Sequence, residues 1–251
     1  MISMLTGTTA ADFVGLGLIK VGTGNFLVTS AAWNNGSTGA TRAGAVTFGH
    51  GSTGFIGGGG PITPVNSLIG SSTNDTIGWP NSGSTITVLP NGNYLVLSPQ
   101  WTNPANGAAY AGAVTFGSGA TGATGTVSPA NSRVGSSAGD QVGGAISGIN
   151  NITILTNGNY VVTSPYWDNT ANNAADAGAV FFGLATAPIT GTVAAANSLV
   201  GRRDNDSVGN LSVTSLPNGN YLVRSSLWDR PGATDAGAVT FASGITGIKG
   251  A

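Results

Sequence analysis

The 251-residue sequence has no cysteine and no glutamate, one histidine, and only 8 basic residues against 9 acidic ones, every one an aspartate. Without cysteine there is neither a disulfide framework nor a thiolate metal site. A net charge of −1 lacks the dense basic footprint that nucleic acid requires. Arg202, Arg203, Arg224 and Arg230 make the last quarter locally basic, which reads as solvated surface. Acid–base chemistry has little to draw on, because His50 stands alone and the acids form no asymmetric pair, so no enzyme is expected. No apolar run approaches the roughly 20 residues that cross a bilayer. Met1 to Gly22 lacks the basic start of a signal peptide and carries the same landmarks as the rest, so it reads as folded protein.

What is abundant is glycine, at 42 residues, with no Gly-x-y period and with its clusters at turns. These turns punctuate a unit that occurs four times, most plainly as Asn157-Gly158-Asn159-Tyr160-Val161-Val162-Thr163-Ser164-Pro165-Tyr166-Trp167. An Asn-Gly pair before an alternating apolar run predicts a hairpin with a type I′ turn. The aromatic after each turn is Phe26, Tyr94, Tyr160 or Tyr221, and a Trp follows seven residues later at Trp33, Trp101, Trp167 and Trp228. A Gly-Ala-Val strand ends on Phe48, Phe116, Phe182 and Phe241, and Asn-Ser-x-[Val/Ile]-Gly begins at Asn66, Asn131 and Asn197.

These landmarks divide the chain into repeats of approximately 8–70, 71–135, 136–201 and 202–251 plus 1–7, forming one repeat domain over 1–251. Each repeat parses into four short strands by the period of two. In the second, Ser84 to Leu89 precedes the turn, Tyr94 to Ser98 follows it, and Gly112 to Phe116 is the third strand, with a weaker fourth running from Gly125 toward Val134. Tyr94 and Val96 face one side and Leu95 and Leu97 the other, as in a sheet packed between two neighbours. The ends read as parts of one unit: Ser3 to Gly7 aligns with Asn197 to Gly201, and Thr246-Gly247 with Thr190-Gly191. This predicts a ring closed by strands from both termini, which would remove the exposed edge.

Asp-x-[Val/Ile]-Gly recurs at Asp12, Asp75, Asp140 and Asp206, ahead of the first strand of each repeat. Strand two ends in Ser98-Pro99-Gln100 or Ser164-Pro165-Tyr166, and strand three reads Ala-Gly-Ala-Val-x-Phe. This order resembles the FG-GAP repeat of integrin-α-type β-propellers, with Val-Gly or Ile-Gly for Phe-Gly and Ser-Pro-x for Gly-Ala-Pro. It is also similar to repeats of bacterial surface exoproteins of the haemagglutinin kind. The resemblance spans essentially the whole chain and implies an all-β fold, a β-propeller of four-stranded antiparallel blades. Its alternative form is two chains making an eight-bladed ring. Calcium-binding FG-GAP blades carry an Asp-rich loop between strands one and two, where this sequence has a tight turn.

Two sets of residues are candidate sites. Asp12, Asp75, Asp140 and Asp206 suit either turn-capping or a ring of carboxylates around a hard cation. Trp33, Trp101, Trp167 and Trp228, with Asp168 and Asp229 beside them, suit either core packing or a sugar stacked on the ring. Asp176 and Asp235 in the same loops could fix turns or hold calcium. No cofactor is expected beyond such a calcium ion. The sequence therefore predicts an extracellular or cell-surface binding module for carbohydrate or an adhesion partner, monomeric or homodimeric, with no nucleic acid and no membrane insertion. The alternative is a structural repeat protein that self-assembles. Gly117-x-Gly119-x-x-Gly122 reads as a glycine-rich turn, since no helical pattern follows it.

Overall fold

A computed structural model describes residues 3–79, 86–144 and 151–250. Each of the first three units is a four-stranded antiparallel meander. Unit two runs Ile86–Val88, Tyr94–Ser98, Ala113–Gly117 and Ser132–Val134, each strand paired with the one before. Residues 84 and 85 of its expected first strand lie outside the described residues. Unit one has the same order over Gly17–Val21, Asn25–Thr29, Ala45–His50 and Ser67–Ile69. Unit three repeats it over Ile152–Ile154, Tyr160–Ser164, Ala179–Gly183 and Leu199–Val200. Unit four has three strands among the described residues, Ser212–Ser215, Tyr221–Ser225 and Ala238–Ala242.

The hairpin turn differs from the type I′ expectation. Gly92 donates to the carbonyl of Leu89 at 2.8 Å, and Gly92 has φ +85° while Asn91 does not have positive φ. Pro90 fixes φ near −65° one residue before Asn91, so the chain makes a type I-like turn closed by a left-handed glycine. Asn91 Oδ1 then accepts from the N–H of Asn93 at 3.1 Å.

Apolar residues on both sheet faces stack the units. Leu27, Val46 and Phe48 of unit one share a core with Tyr94 and Val96 of unit two. Leu95, Leu97 and Val114 of unit two meet Ile152, Tyr160 and Val162 of unit three. Val161 and Val180 meet Val213, Tyr221 and Val223 of unit four. The alternation read from the sequence thus becomes three successive interfaces.

A parallel link joins each unit to the next. The short strand Gly125–Thr126 pairs in parallel with the fourth strand of unit one, and Gly191–Thr192 with the fourth strand of unit two. A single parallel bridge, Leu199 with Gly250, does this between units three and four.

The N-terminal strand Met4–Thr6 pairs in parallel with Gly59–Pro61 of unit one, the same link with its preceding unit missing. This corrects the expected closure. Among the described residues no sheet closes into a ring, and the N-terminal strand does not enter the sheet of unit four. The two ends are complementary, but the N-terminal strand pairs within unit one and Gly250 bonds to unit three. No helix among the described residues is long and apolar enough to cross a membrane.

Candidate functional site

The four repeated Asp perform one task, four times over. Asp140 Oδ2 accepts from the N–H groups of Ser136 and Ser137, both at 2.8 Å, and its Oδ1 accepts from the N–H of Asp168 at 2.9 Å. Asp75 does the same with Ser71, Ser72 and Thr102, Asp206 with Arg202, Arg203 and Asp229, and Asp12 with Thr8, Thr9 and Asn34. Each carboxylate caps its own turn and ties it to the residue just after the repeat Trp. The four are not brought together, and among the described residues no group of three or more His or Asp could hold a metal ion.

Their environments differ in electrostatics. Burial pushes the Asp140 carboxyl up to about 6 against the pull of its three N–H donors. Burial also raises Asp75. At Asp12 burial acts in the same direction, but the Thr9 hydroxyl at 2.6 Å and three N–H groups outweigh it, and its pKa falls below the ordinary value.

The Trp are core residues in the first three units. Trp33, Trp101 and Trp167 are buried, each sharing a cluster with small residues of its own loop or third strand and with the apolar residue that follows the short parallel strand, Ile62, Val127 or Val193. Their indole N–H groups find no hydrogen-bond partner among the described residues. No ring face is open to a sugar at these three. Trp228, in unit four, is half-buried and packs against the cluster that holds Val161, Val213 and Tyr221.

Asp168 and Asp229 each fix a turn, accepting from the N–H of Asp176 at 2.9 Å and of Asp235 at 2.7 Å. Asp176 is raised by burial and by the nearby charge of Asp168. Asp168 also lines an open depression with Thr170, Asn173 and Asp204. His50 is exposed and bonded to Ser52 at 2.9 Å, and residues 118–122 form the expected tight turn.

The most continuous polar feature was not singled out in the sequence. The N–H of Gly119 donates to Asn93 Oδ1 at 2.8 Å, and the carbonyl of Gly119 accepts from Asn25 Nδ2 of the preceding unit at 2.8 Å. Ala185 is held likewise between Asn159 of its own unit and Asn93 of the preceding one, and Gly244 between Asn220 and Asn159. Asn91 and Asn157 reinforce the same carbonyls. The result is an asparagine ladder running through all four units. The second Asn of each Asn-Gly-Asn was its visible signal.

This pattern of rungs and links has the period of a repeat already described. A model of a repeat of unknown function (DUF5650) matches residues 20–79, 88–144, 154–210 and 215–251. The chain belongs to the DUF5650 repeat family. The match is to this repeat and not to FG-GAP specifically. No curated protein is significantly similar to the chain. Among the described residues of the DUF5650 units, an apolar cavity of about 450 Å³ lies at the junction of units one and two, lined among others by Phe13, Leu16, Asn34, Arg42 and Trp79. The Arg42 guanidinium sits 5.1 Å from the centre of the Trp79 ring.

Proposed function

We propose that the chain is a non-catalytic structural module of an extracellular or cell-surface assembly, in which stacks of β units join end to end. The observation that carries this reading is the inter-unit junction. It recurs between successive units with the same Asn rungs, parallel contact and apolar faces, and the end units each present half of it uncovered. Stacking continued around an axis is the β-propeller arrangement that FG-GAP resemblance implies, with two chains sharing an eight-unit ring. The engagement of each repeated Asp with three N–H groups, and of three Trp with the core, supports a structural role for the very residues that pattern nominates for chemistry. Light scattering of the purified chain over the micromolar range tests it. The expected result is a mass above the 24.6 kDa of one chain, and 24.6 kDa at every concentration would refute it.

The cavity beside Trp79 favours a second reading, a binding module whose ligand presents an apolar face to Phe13 and Trp79 and hydroxyls to Asn34 and Arg42. A sugar has that chemistry. Glycan-array binding lost on Trp79→Ala would support it, and retention of binding in that variant would move the site elsewhere.

A further inference from the structure

The reading of stacks that join leaves open what the joint is made of. From the two unfinished halves we infer that the N-terminal strand Met4–Thr6 of a second copy completes the sheet of unit four, docking antiparallel on Ala238–Ala242. This inference rests on the assembly reading and assigns the occupant, the strand and the register.

The C-terminal face is uncovered at the positions that neighbours cover elsewhere. Val46 and Phe48 of strand three are buried beneath unit two, whereas Val239 and Phe241 are 68% and 60% exposed. Gly44, Gly112 and Gly178 have positive φ, and a Cβ on any of them would meet the next unit's backbone N at 2.2 Å. Gly237 has the same φ of +73° with no atom nearer than 3.4 Å. Unit four thus keeps the clearance for a following backbone. Its third strand is a sheet edge, and edges of this kind recruit another strand.

The N-terminal face is the matching half. Leu18 is 74% exposed where Ile152 of unit three is buried. Met4–Thr6 already occupies the place of a preceding unit's fourth strand and lacks only the third strand that such a strand pairs with. Unit one pairs Val46 with Leu68 and Ala45 with Ile69, so the equivalent pairs at the joint are Val239 with Leu5 and Ala238 with Thr6.

Backbone groups at the joint correspond as well. At the internal junctions Thr76 and Ile77 donate to Arg42 and Ala43, and Ser207 and Val208 donate to Asp176 and Ala177, at 3.0–3.1 Å. The counterparts are the N–H groups of Phe13 and Val14 and the carbonyls of Asp235 and Ala236, none of which has a hydrogen-bond partner among the described residues. Asn220 Nδ2 donates to nothing among the described residues, and the carbonyl of Gly51 is its counterpart on the second copy. These backbone donors and acceptors thus have counterparts on the opposite end, although Arg230 stands where Asn35, Asn103 and Asn169 bond the carbonyl after a fourth strand.

The test uses the absence of cysteine. A chain carrying Leu5→Cys and Val239→Cys, oxidised and run on a non-reducing gel beside an out-of-register Leu5→Cys, Thr240→Cys control, should form inter-chain disulfides at least ten-fold more efficiently than the control. Phe241→Arg, at an exposed site that leaves the circular dichroism unchanged, should weaken association at least ten-fold by light scattering. A cross-linked single chain would mean that its own ends meet and would overturn the inference. Mass above one chain with no in-register disulfide, and no effect of Phe241→Arg, would overturn the inference while the assembly reading stands. A single-chain mass at every concentration would overturn both.

Discussion

Phe182 and Phe241 occupy the same place in successive units, yet unit four lies over the first and nothing lies over the second. The same contrast separates Tyr160, fully buried against unit two, from Phe26, which is half-buried and stacks edge-on against Phe55 of its own unit. Inner units draw their cores from both neighbours, and end units supply half an interface each. A single unit exposes too much apolar surface to stand alone, so stability resides in the junctions. The difference between inner and end positions is therefore where the structure is easiest to break.

The largest effect is expected at the Trp. Trp101→Ala, in a core built from units one and two, should cost about 3–5 kcal/mol in chemical denaturation. Trp228→Ala, half-buried in a unit lacking its fourth strand, should cost well under half of that. Equal losses would show that the end unit is as tightly packed as an inner one.

The Asp differ next, through pH. Because folding raises the Asp140 pKa from 3.8 to about 6, its stabilising contribution is complete below the unfolded value and is lost as pH rises through about 6. At roughly 1.4 kcal/mol per pKa unit this is at most about 3 kcal/mol between pH 4 and 7. Asp12, whose pKa is lowered, contributes above the unfolded value and loses that contribution as pH falls below it. Denaturation of Asp140→Asn should lack the gain on acidification from pH 6 to 4, whereas Asp12→Asn should lack the loss below about pH 4. Identical slopes in the two variants would erase the electrostatic distinction between the turns.

A smaller effect, about 2 kcal/mol, is expected for Gly178→Ala, whose Cβ would press on the backbone of Val208 at 2.2 Å. Gly237→Ala meets only the strain of positive φ, about 1 kcal/mol. In an assembled sample the two should converge, since the joint would place a backbone against Gly237.

Much of this was legible in the residues themselves. The alternation of Tyr94, Leu95, Val96 and Leu97 specified a sheet apolar on both faces, and the spacing of the landmarks specified four units. Other features depend on distant partners. The two-residue strand Gly125–Thr126 has no periodicity to betray it, and its partner lies in the preceding unit. Trp167 suits either core packing or a sugar in the sequence, because Asp168 and Asn169 follow it and the apolar residues that share its cluster, Val193 and Val200, come much later in the chain. Ring closure was inferred from complementary ends. Complementarity specifies what an end can bind, and either the same chain or another copy satisfies it.

The smallest expected difference bears most directly on the ladder. Asn93 bridges two units, its Oδ1 accepting from Gly119 and its Nδ2 donating to Ala185. Asn93→Ala removes both bonds and leaves the Gly119 N–H unpaired, while Asn91 still donates to the Ala185 carbonyl, a cost of about 1–2 kcal/mol. Asn220 makes only the inner half of its rung, accepting from Gly244. Asn220→Ala should therefore cost no more than about 0.5–1 kcal/mol in the single chain. If chains join end to end, its free amide gains the carbonyl of Gly51, and the cost of Asn220→Ala should rise toward that of Asn93→Ala as protein concentration increases. Hydrogen exchange at the Gly244 amide, compared between dilute and concentrated protein, reads the same change without a substitution. A rung that is equally weak at both concentrations would confine the ladder to the four units of one chain.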